Sequence, residues 1–318
     1  MISCVATMPP RVCVSGTSCG GLPVCANQEI DSSIRAPAGW CSVDSAHAKI
    51  PIIDFKEAAL AARLSWLLYL YDDSLRQLGD VWIDSAGSLP VPYLSGNKVC
   101  IWNDTVKGRT WVIVRGTFSV ENVIQDFDYP KEYDTALGAW VHRGFLQAAR
   151  RLEPLVRSRV GVGSRLYFTG HSLGGSVALL LALHFRKSGF MLGPVYTFGQ
   201  PKVFAESTVT AYRCLPVVRF INSDDPVPFI PPTLPLAHNA ADSLHPSWHG
   251  IYRHLGDEVV LRLPDGYTYN LTHNEYRNGF VYAATIWRNL KRKDYKKLLP
   301  DHLPDEYARR MALLAGAP

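Results

Sequence analysis

No apolar run in this 318-residue chain approaches the length of a membrane span, and no internal repeat is visible. Neither charge sign dominates: 33 Lys and Arg stand against 28 Asp and Glu, a net charge of +5. That balance is too mild to imply a nucleic-acid partner, and it tolerates an anionic membrane surface without demanding one. The seven cysteines include no Cys-x-x-Cys pair and match no zinc pattern. Cys4, Cys13, Cys19 and Cys25 crowd the start of the chain, and the odd total argues against a complete disulfide set. The opening residues also lack a basic stretch followed by a continuous apolar one, so the expectation is a soluble protein, cytoplasmic by default.

What is present describes an ordinary globular protein, with 47% apolar and 19% charged residues. Residues 1–45 are rich in Ser, Thr, Gly, Pro and Cys without a steady period, and read as a disordered leader; residues 46–318 read as one α/β domain. A Leu/Ala-rich helix is expected from Phe55 to Tyr71, and another from His142-Arg143-Gly144-Phe145 to about Arg157. Strands are expected at Lys98 to Trp102, Thr110 to Val114, Leu166 to Thr169, Pro194 to Phe198 and Val217 to Ile221. Strands alternating with helices predict a mainly parallel central sheet with helices on both faces, whose sites lie at the carboxyl ends of the strands. A helix is expected near Val120. A broken, proline-rich stretch from Pro226 to Trp248 reads as a pocket rim. A hairpin over Glu258 to Leu271 precedes a helix from about Gly279 to Leu290, and the basic run Arg288 to Lys297 reads as a solvated helix face.

The chain is organised around Gly170-His171-Ser172-Leu173-Gly174. A β-prone run precedes it and the apolar helical run Val177 to Leu183 follows, which is the context a nucleophile elbow requires. The bland alternative is a glycine-rich turn that merely joins strand to helix. In the elbow reading, Ser172 projects from a turn too tight for side chains at Gly170 and Gly174. The N–H of Leu173, at the helix start, then faces developing negative charge. A serine alcohol needs a base, and the base needs a carboxylate. Asp225, just past an apolar strand, suits the acid, with Asp224 as its rival. The base lies among His238, His245, His249, His254, His273 and His302. His254, before a strand, reads as structural; periodicity does not choose between His273 and His302. Thr117, in Arg115-Gly116-Thr117, is placed for the second oxyanion donor, and Arg115 reads as a buttress of the loop, against Asp126.

Together, Val114-Arg115-Gly116-Thr117, Asn122 to Asp126, Val141 to Phe145, Gly170 to Gly175, Tyr196 to Val203 and Asp225 to Pro228 resemble the class 3 lipases, a branch of the α/β-hydrolases. The resemblance covers residues from about 95 onward and implies Ser172 as nucleophile, Asp225 as acid, and Thr117 and Leu173 as oxyanion donors. For the base, His273 through Tyr276 resembles the fungal His-x-x-Tyr. The longer layout, Tyr252 to Gly256 followed by Asp301-His302 through Tyr307, resembles bacterial members and favours His302. The family's lid follows the Arg-Gly-Thr loop, and the segment Phe118 to Asn122 is short here. The implied activity is a serine carboxylic-ester hydrolase (lipase or esterase) on acylglycerols or similar lipid esters, with no metal or cofactor. Its partners would be a lipid or ester substrate and, transiently, a membrane or lipid-droplet surface; oligomeric state is left open. A phospholipase A1 or acyltransferase using the same residues is the nearest rival. A catalytically silent lipid-binding or scaffold protein is the rival from another class.

Overall fold

The computed structural model describes residues 14–15, 53–70, 72–84, 98–116, 131–161, 163–205, 209, 212, 215–223, 225–231, 252–262, 266–270 and 300–316. Among the described residues the main sheet has nine strands: β1 (Val14–Ser15), β2 (Val81–Ile83), β3 (Val99–Asp104), β4 (Arg109–Val114), β7 (Arg165–His171), β8 (Met191–Phe198), β10 (Val217–Asn222), β12 (Asp257–Leu261) and β13 (Tyr267–Asn270). Their order across the sheet is β1-β13-β12-β10-β8-β7-β4-β3-β2. The centre, from β12 to β4, is parallel. β3 joins β4, β2 joins β3 and β13 joins β12, all antiparallel. A smaller sheet is built from β5 (Lys131–Asp134), β6 (Ala139–His142), β9 (Phe204–Ala205) and β11 (Tyr252–Arg253).

Five helices complete the described fold: α1 (Phe55–Leu67), α2 (Asp72–Arg76), α3 (Arg143–Arg157), α4 (Leu173–Lys187) and α5 (Pro304–Leu314). The central strands are covered on both faces, and their side chains alternate between two cores. On β4, Val112 and Val114 turn toward α3 and α4 and share a core with Leu152, Val177 and Leu181. Trp111 and Ile113 turn the other way, toward Ala58 and Leu64 of α1 and Met311 of α5. Burial on both faces is why these strands read in sequence as unbroken apolar runs.

Local chemistry sets the helix starts. Asp54 caps α1, its Oδ1 accepting from the N–H of Lys56 and of Glu57 at 3.0 Å each. His142 caps α3: Nδ1 accepts the Gly144 N–H at 3.2 Å while the ring stacks on Phe145. That pairing accounts for the His-Arg-Gly-Phe run.

Within the expected leader, Val14–Ser15 lie parallel to Tyr269 and Asn270 at the sheet edge. The rest of the leader lies outside the described residues. So do the expected helices near Val120 and from Gly279 to Leu290, the basic run Arg288 to Lys297, the segment Phe118 to Asn122 and the proline-rich stretch beyond residue 231.

Candidate active site

The elbow is formed by the end of β7, Ser172, and the start of α4. Ser172 has φ 57°, alone among the described non-glycine residues in being positive. Such a conformation is costly for a residue with a Cβ and is held only where surroundings over-determine it. Here the Ser172 N–H donates to the Phe198 carbonyl at 2.8 Å, and the Ser172 carbonyl accepts from Gly175 N–H at 2.9 Å. The flanking glycines are required by contact. A Cβ on Gly170 would lie 2.8 Å from Gly175 N, and one on Gly174 would lie 2.6 Å from Gly116 N. Gly174 therefore lets the start of α4 press against the loop that leaves β4. Leu173 is the first residue of α4, where a backbone N–H has no intrahelical acceptor.

Behind Ser172 stand an imidazole and a carboxylate. His302, in a single 3-10 turn (Pro300–His302) before α5, has Nε2 at 2.9 Å from Ser172 Oγ. Its Nδ1 lies 2.9 and 2.8 Å from the two oxygens of Asp225, which follows β10. A carboxylate accepts, so Nδ1 carries the proton and Nε2 turns a lone pair to the serine hydroxyl. All three side chains are buried: Ser172 and Asp225 are fully covered and His302 is 2% exposed. Asp225 is further held by Val227 N–H to Oδ1 (2.9 Å) and Tyr307 O–H to Oδ2 (2.6 Å). Burial, and then the charge of Asp225, push the Tyr307 phenol far above its ordinary pKa, so it stays a donor. Its oxygen accepts in turn from Asn222 N–H at 3.0 Å.

The loops that carry acid and base are braced from behind. The Asn222 side-chain amide donates to the Asp301 carbonyl at 2.6 Å, and Arg310 pairs with both Asp301 and Glu306. His254 donates from Nε2 to the Pro228 carbonyl at 2.6 Å, a brace on the acid loop that suits a structural histidine. Lys202 reaches the carbonyls of Phe229 and Pro231 at 3.4 and 3.2 Å. Gly199, at φ +58°, admits the pair: a Cβ there would lie 2.7 Å from Asp225 Oδ2 and 3.0 Å from the His302 ring.

Of the candidates from sequence, the structure brings Ser172, Asp225 and His302 together and sets Leu173 beside them. Thr117, His273, Asp224, Asp126, His238, His245 and His249 lie outside the described residues, the loop being described as far as Gly116. Among the described residues, no cluster of His, Cys, Asp or Glu is disposed to hold a metal. Sequence reasoning did not single out Tyr69, Gly199 or Asn222 as site residues. Gly199, at the end of an apolar strand, was the one with a signal to follow.

Residues 111–234 match the family described as Lipase (class 3). Over these residues the chain is similar to the class 3 lipases. The chain is 35% identical over 166 residues to secreted mono- and diacylglycerol lipase 1 of Fusarium solani, covering 48% of this chain and 49% of that protein. It is 34% identical over 119 residues to the chloroplastic phospholipase A1 PLIP2 of Arabidopsis thaliana, covering 33% and 16%. The chain thus spans half or less of the length of the curated relatives it matches. Among solved structures, lipase II from Rhizopus niveus superposes with a TM-score of 0.53 at 20% identity, over 67% of this chain and 82% of that one. That likeness establishes the α/β-hydrolase fold. Among the described residues, no helix is long and apolar enough to cross a membrane.

Proposed function

We propose that this protein is a serine carboxylic-ester hydrolase that cleaves acylglycerols or related lipid esters through an acyl-enzyme on Ser172. The observation that carries this reading is the position of the His302 ring, with Nδ1 on the Asp225 carboxylate and Nε2 2.9 Å from Ser172 Oγ. In the first half-reaction Oγ attacks the ester carbonyl carbon and its proton passes to Nε2. The carbonyl electron pair moves onto oxygen, where the Leu173 N–H, and Thr117 on the loop after Gly116, are the donors in this reading. The adduct collapses, the C–O bond to the alcohol breaks, and the imidazolium protonates the departing oxygen. Water repeats the sequence on the acyl-enzyme, releasing the carboxylic acid and restoring the serine. Asp225 keeps the imidazole in the correct tautomer and offsets its charge without taking the proton.

Ser172→Ala is expected to abolish turnover of a short-chain p-nitrophenyl ester and labelling by a fluorophosphonate, with unchanged thermal unfolding. Full activity in that variant would end the proposal. An unlabelled wild-type protein would favour a silent lipid-binding role. A phospholipase A1 would use the same three side chains, and one relative carries that name. Analysis of products from phospholipid and from triacylglycerol, run side by side, decides between the two substrates.

A further inference from the structure

His171, the variable residue before the serine in the elbow motif, takes no part in the proton transfers above. It is nevertheless buried (2% exposed) and engaged at both ring nitrogens. Its Nε2 lies 2.6 Å from the backbone carbonyl oxygen of His302. Its Nδ1 lies 3.0 Å from the hydroxyl of Tyr69, which stands just past α1. The same hydroxyl lies 3.1 Å from the backbone nitrogen of Gly116, the residue before Thr117.

The carbonyl fixes one end of this chain, and the buried, neutral His171 ring sets the rest. A carbonyl only accepts, so His171 Nε2 carries the proton. The neutral ring then presents a lone pair at Nδ1, which accepts the Tyr69 O–H. The phenol oxygen in turn accepts the Gly116 N–H. Protonating His171 would turn Nδ1 into a donor, reverse its bond to the Tyr69 hydroxyl and place a cation beside the His302 ring, whose centroid is 4.6 Å away. Burial, and then the neighbouring His302, hold His171 well below the ordinary imidazole range, so it stays neutral when His302 takes the serine proton.

We propose that Tyr69 and His171 are positioning residues which, through this one directional hydrogen-bond chain, hold the backbone of the base His302 in register with the loop that leads to the second oxyanion donor. The inference rests on the hydrolase reading and names a regulator of geometry within that site. The side chain of His302 is oriented by Asp225, but a ring is only as well placed as the backbone that carries it. Two carbonyls of the turn are gripped: that of Asp301 by Asn222, and that of His302 by His171. The second grip continues, through the Tyr69 hydroxyl, to the backbone of Gly116. A displacement of about 1 Å in such a site is enough to cost roughly a hundredfold in rate.

The test uses the full chain and the variants Tyr69→Phe, His171→Gln and His171→Leu. Each is measured for thermal midpoint, for kcat and KM on a soluble p-nitrophenyl ester, and for fluorophosphonate labelling rate. Tyr69→Phe keeps the ring and removes the hydroxyl. It is expected to lower kcat roughly ten- to a hundredfold with KM within about twofold, and to slow labelling by the same factor. In His171→Gln the side-chain amide keeps an N–H for the His302 carbonyl, so it should retain about tenfold more activity than His171→Leu at matched stability. A folded Tyr69→Phe with unchanged kcat, a loss confined to KM, or equal activity of the Gln and Leu variants would each overturn the proposal. If Tyr69→Phe does not fold, the comparison of His171→Gln with His171→Leu decides alone. A wild-type protein that reacts with neither ester nor fluorophosphonate would overturn the hydrolase reading itself, whereas a reactive wild type with indifferent variants overturns the positioning chain only.

Discussion

Gly199 sets how closely acid and base approach each other. Its φ of +58° already disfavours a side chain, and a methyl group there would stand 2.7 Å from Asp225 Oδ2. Gly199→Ala therefore strains the backbone and pushes apart the two groups whose contact orients the base. Esterase kinetics are expected to show kcat/KM falling about a hundredfold, while thermal unfolding shifts by only several degrees. A near-normal rate would mean that the loop yields without moving the carboxylate. Tyr69 makes the opposite point about single residues. It lies past a helix of Leu and Ala, and its partner His171 is 102 positions away. No local pattern marks such a contact, so only the folded chain reveals it. The base was a middle case. Spacing left His273 and His302 equal, the family-like layout around Asp301 leaned toward His302, and the geometry puts the His302 ring beside Ser172.

Among elements, the strands of the parallel centre were legible because both of their faces are buried. β4, β7, β8 and β10 each announce themselves as short apolar runs ending in glycine or a polar turn. The β5–β6 hairpin was not legible. Three of the four residues Lys131-Glu132-Tyr133-Asp134 are charged, and the hairpin leaves Tyr133 and Trp140 exposed, so it carries little of the apolar signal a strand assignment needs. Its place is fixed by a long-range ionic junction. His184, near the end of α4, is 2.8 Å from Glu153 of α3 through Nδ1 and 2.6 Å from Asp134 at the end of β5 through Nε2. With a carboxylate at each nitrogen, the ring is doubly protonated. Burial alone would lower its pKa, but the hydrogen bonds to Asp134 and Glu153 outweigh it and raise the value to about 9. Arg157, paired with Glu153, and Arg150, paired with Glu132, flank the junction. A raised folded-state pKa means the stabilisation is complete below the unfolded value of about 6.5 and is lost as pH climbs through about 9. Asp134 and Glu153 are shifted the other way, so their share is lost in acid. Melting curves between pH 5 and 10 should show a midpoint that declines on the alkaline side (these limits are about the span of the two transitions). The decline corresponds to a loss on the order of 2 kcal/mol. His184→Leu should flatten that alkaline decline; an unchanged slope would place the titrating group elsewhere.

At the scale of the whole molecule, the sheet separates two cores, and the covering of one of them links distant parts of the chain. α1 and α5 pack together on the face opposite α3 and α4, with Met311 fully buried among Leu64, Tyr307 and Phe198. Met311→Ala is expected to destabilise the fold by about 2–5 kcal/mol, as a cavity of that kind does. Chemical denaturation would read the loss directly as a lower midpoint with an unchanged slope. Because α5 directly follows the turn that carries His302, esterase activity in that variant should disappear at a lower temperature than the bulk of the helical signal. Coincident loss of both would show the α5 docking to be inseparable from global unfolding.

The order of assembly follows from where His302 sits, 130 positions after the serine it faces. A refolding chain that has already built the central strands and wound α4 owns an alcohol and a carboxylate but still has nothing to draw off the proton. Chemical competence in this molecule is thus a clock for a long-range docking event, and not for collapse. A stopped-flow trace is expected to register ester turnover no earlier than the burial of Trp111, which faces the core that α5 closes.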